Sequence, residues 1–364
     1  MPEQQQKSFG RLAGKAGLVL LAVVNLIVGG LFRILAKVPT LVRKLGGVPG
    51  VLLLVVILAA VGGFLFAGRG FFYRPWTIRE RVGVGALDET IYVFGGVLSD
   101  VGVLRDVLAF DVSRGRVSLV GELPWPAFGT SIAGADGALY VMDGRSGSTG
   151  IPEILRLDPA NGSIVPAGRA PAPLSFGGLA SDGETIYYVG GWDGDKVRDE
   201  VLAFSPGSWE ARTIAHLPVP VRHCAAACSS GRLYVLGGET EDGGVQSLLI
   251  EIGIASGSIL RTLELPTPLS RTTVVAFEDY LYVFGGWNHE VLGNITRISI
   301  GAGPLVHERI GRLPAPSSDC IAVIANQRII VVGGEPVLGG RELRISAFDP
   351  GDATFRVLRF RGSI

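Results

Sequence analysis

Six copies of one short phrase, a nearly constant period and the lack of any long helical pattern across 76–364 predict that this part is all-β, a six-bladed β-propeller. The phrase is a β-rich run closed by two small residues: IYVFGG (91–96), LYVMDG (139–144), IYYVGG (186–191), LYVLGG (233–238), LYVFGG (281–286) and IIVVGG (329–334). The first closing residue falls at 95, 143, 190, 237, 285 and 333, at intervals of 48, 47, 47, 48 and 48. A fixed period of this length is the mark of a repeat architecture in which each unit is one supersecondary element.

Each unit offers four strand-like pieces. In the fourth they are HCAAACS (223–229), LYVLGG (233–238), SLLIEIG (247–253) and SILRTLEL (258–265), separated by turn residues such as SSGR (229–232) and ASG (255–257). Val, Ile, Leu and Tyr favour a pleated, buried surface, and Ser, Gly and Asn punctuate it. Four short strands per period, repeated six times, describe a propeller. A solenoid would need polar capping units at its ends, and none is visible. The paired glycines mark a sharp turn that needs positive φ or a close backbone approach. Asp143 stands at one of these positions, and Asp is among the few other residues that tolerate such dihedrals. All six units run in one strand order, from a first strand near 79–86 to a last near 353–360. The segment Trp76 to Glu80 is a candidate closing strand.

The body, 76–364, follows a basic, apolar leader, 1–75. Residues 1–75 hold nine of the 33 Lys/Arg and one of the 33 Asp/Glu, a charge of +8, so the remainder carries −8. Leu45 to Gly68 is a run of 24 uncharged residues between Lys44 and Arg69, long enough to cross a bilayer as a tilted helix. A second run, Ala16 to Phe32, is interrupted by Asn25; it fits a short span, an interfacial helix or a signal-peptide core. One or two transmembrane helices are therefore expected at 45–68 and 16–32. With 45–68 as the single span, seven bases precede it and four follow, which places the propeller outside the cytoplasm. A hairpin with the basic 33–44 loop inside gives the same result, whereas the opposite hairpin keeps the body in the cytoplasm. Phe71, Phe72 and Tyr73 read as an interfacial anchor.

Composition excludes several classes. Gly is 53 of 364 residues without a three-residue period, so the chain is not collagenous, and a hydrophobic content of 48% excludes a largely disordered chain. A net charge of zero argues against a general nucleic-acid binder. Three cysteines exclude a disulfide scaffold. Cys224 and Cys228 lie four apart in a strand, roughly 13 Å at the usual rise, too far to bridge. The four His, at 216, 223, 289 and 307, show no ligand spacing, so neither metal nor other cofactor is expected. Asn161-Gly-Ser and Asn294-Ile-Thr match glycosylation acceptors, which matter only in a eukaryotic secretory setting.

The apolar run ending in Gly-Gly, the period, and a Leu-Pro-x-Pro connector at 123–126, 217–220, 265–268 and 313–316 together resemble kelch repeats over about 77–364. The usual Tyr after the glycines is replaced by Phe110, Leu157, Phe204 or Phe348, and the usual Trp by Val117, Ile164, Ile259 or Phe355. The resemblance implies a kelch-type propeller, a fold that serves as protein-binding module, glycan-related enzyme or oxidase.

Aligning the units on their Gly pairs gathers the candidate site. Val82, Thr130, Gly177, Cys224, Thr272 and Cys320 share one column, and small residues follow them, which predicts a tight central channel. One residue earlier stand Arg81, Gly129, Phe176, His223, Arg271 and Asp319, with Glu80, Phe128, Ser175, Arg222, Ser270 and Ser318 before them. The resemblance implies that these connectors share a face with the loops that begin Val97, Arg145, Trp192, Glu239, Trp287 and Glu335. The expected rim therefore holds Arg81, Arg145, Trp192, Arg222, His223, Glu239, Arg271, Trp287, Asp319 and Glu335. Trp offers a flat stacking surface and Arg grips carboxylates in bidentate fashion. The rim predicts a membrane-anchored module that binds a protein or glycan through one loop face. The alternative, by resemblance, is a sugar-modifying enzyme like the sialic acid epimerase or mutarotase propellers, with Glu239, Glu335 or His223 moving protons and Arg222 or Arg271 holding a carboxylate. A copper-radical oxidase shares only the fold, since its paired His and Tyr ligands have no counterpart here.

Overall fold

The computed structural model describes residues 79–361 except 99–101, 148, 334 and 337–343. The leader and its two candidate spans lie outside the described residues. Among the described residues no helix is long and apolar enough to cross a membrane.

The described residues form six four-stranded antiparallel sheets, each built from one stretch of chain, with short two-stranded pairings in the loops. Blade 1 comprises Gly83–Leu87, Thr90–Phe94, Asp106–Asp111 and Arg116–Glu122. Blade 2 comprises Ser131–Ala135, Ala138–Met142, Glu153–Leu157 and Ile164–Arg169. Blade 3 comprises Gly178–Ser181, Ile186–Val189, Glu200–Phe204 and Ala211–His216. Blade 4 comprises Ala225–Ser229, Arg232–Leu236, Leu248–Gly253 and Ile259–Glu264. Blade 5 comprises Thr273–Phe277, Tyr280–Trp287, Val291–Ser299 and Val306–Arg312. Blade 6 comprises Ile321–Ala325, Arg328–Val332, Ile345–Asp349 and Thr354–Val357.

The second strand of each blade, the recurrent phrase itself, is buried on both faces because a neighbouring blade covers each. This explains why it is a continuous apolar run and not an alternating one. The outer strands are largely exposed, with Val165 and Leu119 in solvent. Blades 1 to 5 share a bulge where the third strand meets the outer one, at Val107/Leu108, Ile154/Leu155, Val201/Leu202, Glu251/Ile252 and Ile295/Thr296. A bulge at this point sharpens the twist that lets radial sheets stack. Blades 4 and 5 are also tied by charge: Glu251, fully buried, takes Arg232 and Arg261, and Arg261 reaches the carbonyls of Ile300, Gly301 and Gly303.

The turn after the second strand welds each blade to the next. The first residue of each closing pair has φ between 51° and 66°, Asp143 included. In blades 1, 3 and 4 the second donates its N–H to the connector that opens the following blade, Gly96 to Ala127 O at 2.9 Å, Gly191 to Val221 O at 2.8 Å and Gly238 to Leu269 O at 3.0 Å, whereas in blade 2 Gly144 N–H goes to the Asp143 carboxylate. At Gly237 a Cβ would lie 2.0 Å from Leu269 O. Only glycine fits that approach.

The ring closes without exchanging a strand. Apolar side chains of blades 1 and 6 pack together, among them Val84, Leu108, Ile330 and Val332. The tail after the last strand then runs along the outer strand of blade 1. Val117 N–H donates to Arg361 O at 3.0 Å, Arg361 N–H donates to Gly115 O at 2.8 Å, and Phe360 meets Phe110 edge-on at 5.0 Å. This closed ring excludes the solenoid. Of the candidate closing segment, Trp76 lies outside the described residues, and Glu80 pairs with Val97 of its own blade. Arg79 opens the ring. It is buried where later blades have Ala127, Leu174, Val221 and Leu269, and its guanidinium is held by both oxygens of Asp106.

Replacing Gly237 by Ala is expected to cost about 3 kcal/mol, through a strained φ and a backbone clash. Urea unfolding of the two proteins measures this, and an unchanged midpoint would show that the turn does not clamp the blades.

Candidate functional site

Every blade makes the same short pairing at one end of the ring. The connector residue joins the residue after the closing pair, seventeen positions later: Glu80 with Val97, Phe128 with Arg145, Ser175 with Trp192, Arg222 with Glu239, Ser270 with Trp287 and Ser318 with Glu335. These pairings put the connectors and the post-glycine loops on one face, the mouth. The side chain of Glu335 lies outside the described residues.

The next connector residue turns into the channel. Arg81, Gly129, Phe176, His223, Arg271 and Asp319 all have φ between 49° and 62°. Five of the six are not glycine, and left-handed backbone costs such residues about 1–3 kcal/mol each unless the surroundings enforce it. Here neighbours enforce it with bonds from blade to blade. Gly129 N–H donates to Arg81 O at 2.8 Å, His223 N–H to Phe176 O at 2.6 Å, Arg271 N–H to His223 O at 3.0 Å and Asp319 N–H to Arg271 O at 2.9 Å. The six line a cavity of about 320 Å³, together with Phe128, Thr130 and the column of small residues below. The expected tight channel is thus open at its mouth, because Thr130, Gly177, Cys224 and Thr272 are too small to fill it.

The chain of backbone bonds is interrupted between Gly129 and Phe176, and a carboxylate fills the break. Asp143 is buried and accepts from Tyr188 Oη–H at 3.0 Å, Gly177 N–H at 3.3 Å, Gly144 N–H and Phe176 N–H. Tyr188 Oη also accepts from Gly177 N–H at 2.9 Å. A Cβ on residue 177 would lie 2.2 Å from the Tyr188 ring. Asp143, Gly177 and Tyr188 each depart from their repeat column, and the three departures fit one another. Burial pushes the Asp143 carboxyl up to about 7 despite its four donors.

The predicted rim residues fall into three groups. Arg81, His223, Arg271 and Asp319 line the cavity. Arg145 lies over both the Phe176 ring, 5.5 Å from its centroid, and the Trp192 ring, at 5.6 Å; Arg271 lies 5.2 Å from Trp287. These stacks hold guanidinium groups upright against aromatic faces. Glu239 is withdrawn and buried, accepting from Arg271 Nε at 2.9 Å and Ser270 Oγ at 2.9 Å, with Arg222 Nε 3.8 Å from its other oxygen. Burial alone would raise its carboxyl; the Arg271 hydrogen bond and charge, with the Ser270 hydrogen bond, hold it below the usual range. His223 stacks on Phe176 at 4.5 Å. Burial pushes its imidazole down to about 4; Glu239 opposes this, while Arg271, Arg222 and Arg81 add to it.

Phe128 and Phe176 share the aligned columns of the rim but carry no charge, so the sequence reading passed over them. Asp143 was visible only as an odd residue in a glycine column. Cys224 and Cys320 lie at the cavity floor as packing thiols. Burial pushes both up to about 12, and their Sγ–H groups point to Val189 O and Phe284 O. Among the described residues no three His, Cys, Asp or Glu converge as a metal site.

No family model matches the chain. No curated protein matches it. Among solved structures the chain is similar to that of YjhT, at 16% identity and a TM-score of 0.65, over 78% of this chain and 98% of that one. At that identity the likeness concerns the fold alone, and it supports the propeller.

Asp143 has a testable signature. Its folded-state pKa, about 7, lies above the usual carboxyl value of 3.8. Its contribution to stability is therefore full below the unfolded value and lost as pH rises through the folded one. His223, with its lowered pKa, acts in the opposite sense over an overlapping window. The difference between wild type and Asp143→Asn isolates the carboxyl: the variant gains relative stability as pH rises from 4 to 8, measured by urea midpoints. A constant difference would mean that the carboxyl titrates alike in both states.

Proposed function

We propose that this chain is a membrane-anchored, kelch-type propeller that acts as a binding module, holding an anionic group of a protein or glycan partner in its mouth. The observation that carries this reading is the placement of charge. Arg81 and Arg271 line a concave cavity against one carboxylate, Asp319, while Glu239 is drawn back beneath Arg271. Aromatic faces at Phe128, Phe176, Trp192 and Trp287 supply apolar contact around it, and Trp and Arg are the usual anchors of binding surfaces. The leader supplies the bilayer anchor, and its charge distribution puts the propeller outside the cytoplasm.

One observation favours the second reading, sugar ring-opening. His223 lines the cavity as an uncharged imidazole, and such chemistry needs a proton acceptor. A base with so low a pKa is weak at neutral pH, so binding stands as the better reading.

Thermal unfolding of the full chain in detergent, against acidic peptides and acidic sugars, tests the proposal. A ligand at about 100 times its Kd adds about 2.7 kcal/mol. Arg81→Ala, at an exposed position, is expected to weaken binding about tenfold, with Arg81→Lys between the two. Equal affinity in wild type and Arg81→Ala would remove the mouth from the interaction. Turnover of an acidic sugar, lost in His223→Gln, would favour the enzyme.

A further inference from the structure

In each blade the second, third and outer strands bring three side chains into one row on the face that meets the preceding blade. In blade 1 the row is Val93, Leu108 and Leu119. In blade 2 it is Val141, Leu155 and Pro166. In blade 3 it is Tyr188, Leu202 and Thr213, and in blade 4 Val235, Ile250 and Thr262. The middle residue of all four rows is a large aliphatic side chain that packs into the seam between blades, Leu108 being fully buried there. Blade 5 departs from the pattern, with Val283, Thr296 and Arg309. Blade 6 also has a small middle residue, Ser346, but it is buried and lies opposite the uncharged Val357.

Where the aliphatic side chain is missing, a cavity of about 320 Å³ opens in the seam between blades 4 and 5. Leu265 and Leu269 of the connector, with Val283 and Leu292, give it an apolar wall. Asn294, Thr296, His307 and Arg309 give it a polar one. It shares no lining residue with the mouth cavity. A pocket that is largely apolar, with a few convergent polar groups, is the usual form of a small-molecule site.

Its charge is one-sided. No carboxylate lines it. Two positions before the middle residue, blades 1 to 3 carry Asp106, Glu153 and Glu200, each paired with an arginine. Blade 5 carries the uncharged Asn294 there. Glu308, the sequence neighbour of Arg309, is taken by Arg297 at 2.7 Å, and among the described residues no acid pairs with Arg309. An acid at position 294 would neutralise Arg309 or repel an anion; Asn294 does neither and offers an amide donor.

We infer that the seam between blades 4 and 5 is a binding site separate from the mouth, and that it takes a small carboxylic acid with an aliphatic body. The carboxylate accepts hydrogen bonds from Arg309, Asn294 and Thr296, and the aliphatic body lies against Leu265, Leu269, Val283 and Leu292. The site stands or falls independently of the mouth.

The test uses the full chain in nanodiscs and sodium hexanoate as the probe, with affinity read by ligand-observed NMR titration and location by amide hydrogen exchange. Hexanoate is expected to bind roughly fifteenfold more tightly than butanoate, for two more buried methylenes, and about tenfold more tightly than uncharged hexanamide. Exchange should slow at 265–269, 292–296 and 306–309 and stay unchanged at the mouth segment 222–224. Arg309→Ala, at an exposed position, should abolish the preference for hexanoate over hexanamide. Thr296→Leu restores the residue type of blades 1 to 3 and should abolish binding of both probes, with a urea midpoint at or above that of wild type. Unchanged binding in Thr296→Leu would overturn the site, and equal affinity for hexanoate and hexanamide would overturn its choice of a carboxylate. Slower exchange at 222–224 alone would place the acid in the mouth, overturning the seam site while leaving the anion-binding mouth standing. Absence of saturable binding by any probe would overturn the inference outright.

Discussion

The turn at the end of each second strand is the constraint from which the rest of the molecule follows. Its left-handed first residue and hydrogen-bonded second residue bring one blade's loop against the next blade's connector, at a distance that excludes a Cβ at Gly237. Hydrophobic burial between blades supplies most of the stabilisation but sets no orientation, since apolar contact is non-directional. The turn supplies orientation. Repeated around the ring, it fixes where each connector starts and therefore which side chains arrive at the mouth.

The mouth inherits this regularity and adds strain to it. Six equivalent residues adopt the same left-handed backbone, five of them with side chains that the conformation disfavours. Backbone bonds between blades take in all six, and the Asp143 carboxylate also holds Phe176. Strain enforced in this way converts a flexible connector into a rigid one. The Arg81, His223 and Arg271 side chains then converge with little conformational freedom left to lose on binding.

Much of this was legible in the chain itself. A feature repeated six times is amplified, so the period, the four strands per blade and the glycine turn could be read from residue types alone. Column alignment also gathered Arg81, His223, Arg271 and Asp319, which line one cavity, because a propeller places equivalent positions in one ring. What could not be read depends on contacts between distant columns. The bond from Tyr188 to Asp143 joins residues 45 positions apart and required both departures to be considered together. The withdrawal of Glu239 beneath Arg271 depends on Ser270, a residue with no distinguishing pattern. The cavity depends on ring diameter, which small residues alone do not determine. The closing tail, 358–361, overlaps the last strand expected near 353–360; the strand ends at Val357, and the tail's partner lies at the opposite end of the body.

That closure has a consequence for how the molecule is made. Each blade is contiguous, so each can form as soon as its own residues have left the ribosome. The bonds that shut the ring belong to Phe360 and Arg361, which are synthesised after all six blades. Until Phe360 and Arg361 are available, the nascent body is an open crescent whose outer blades each lack one neighbour, with apolar faces and strand edges exposed. Assembly is therefore directional, and the vulnerable moment comes when six blades wait on residues 358–361 to become a ring.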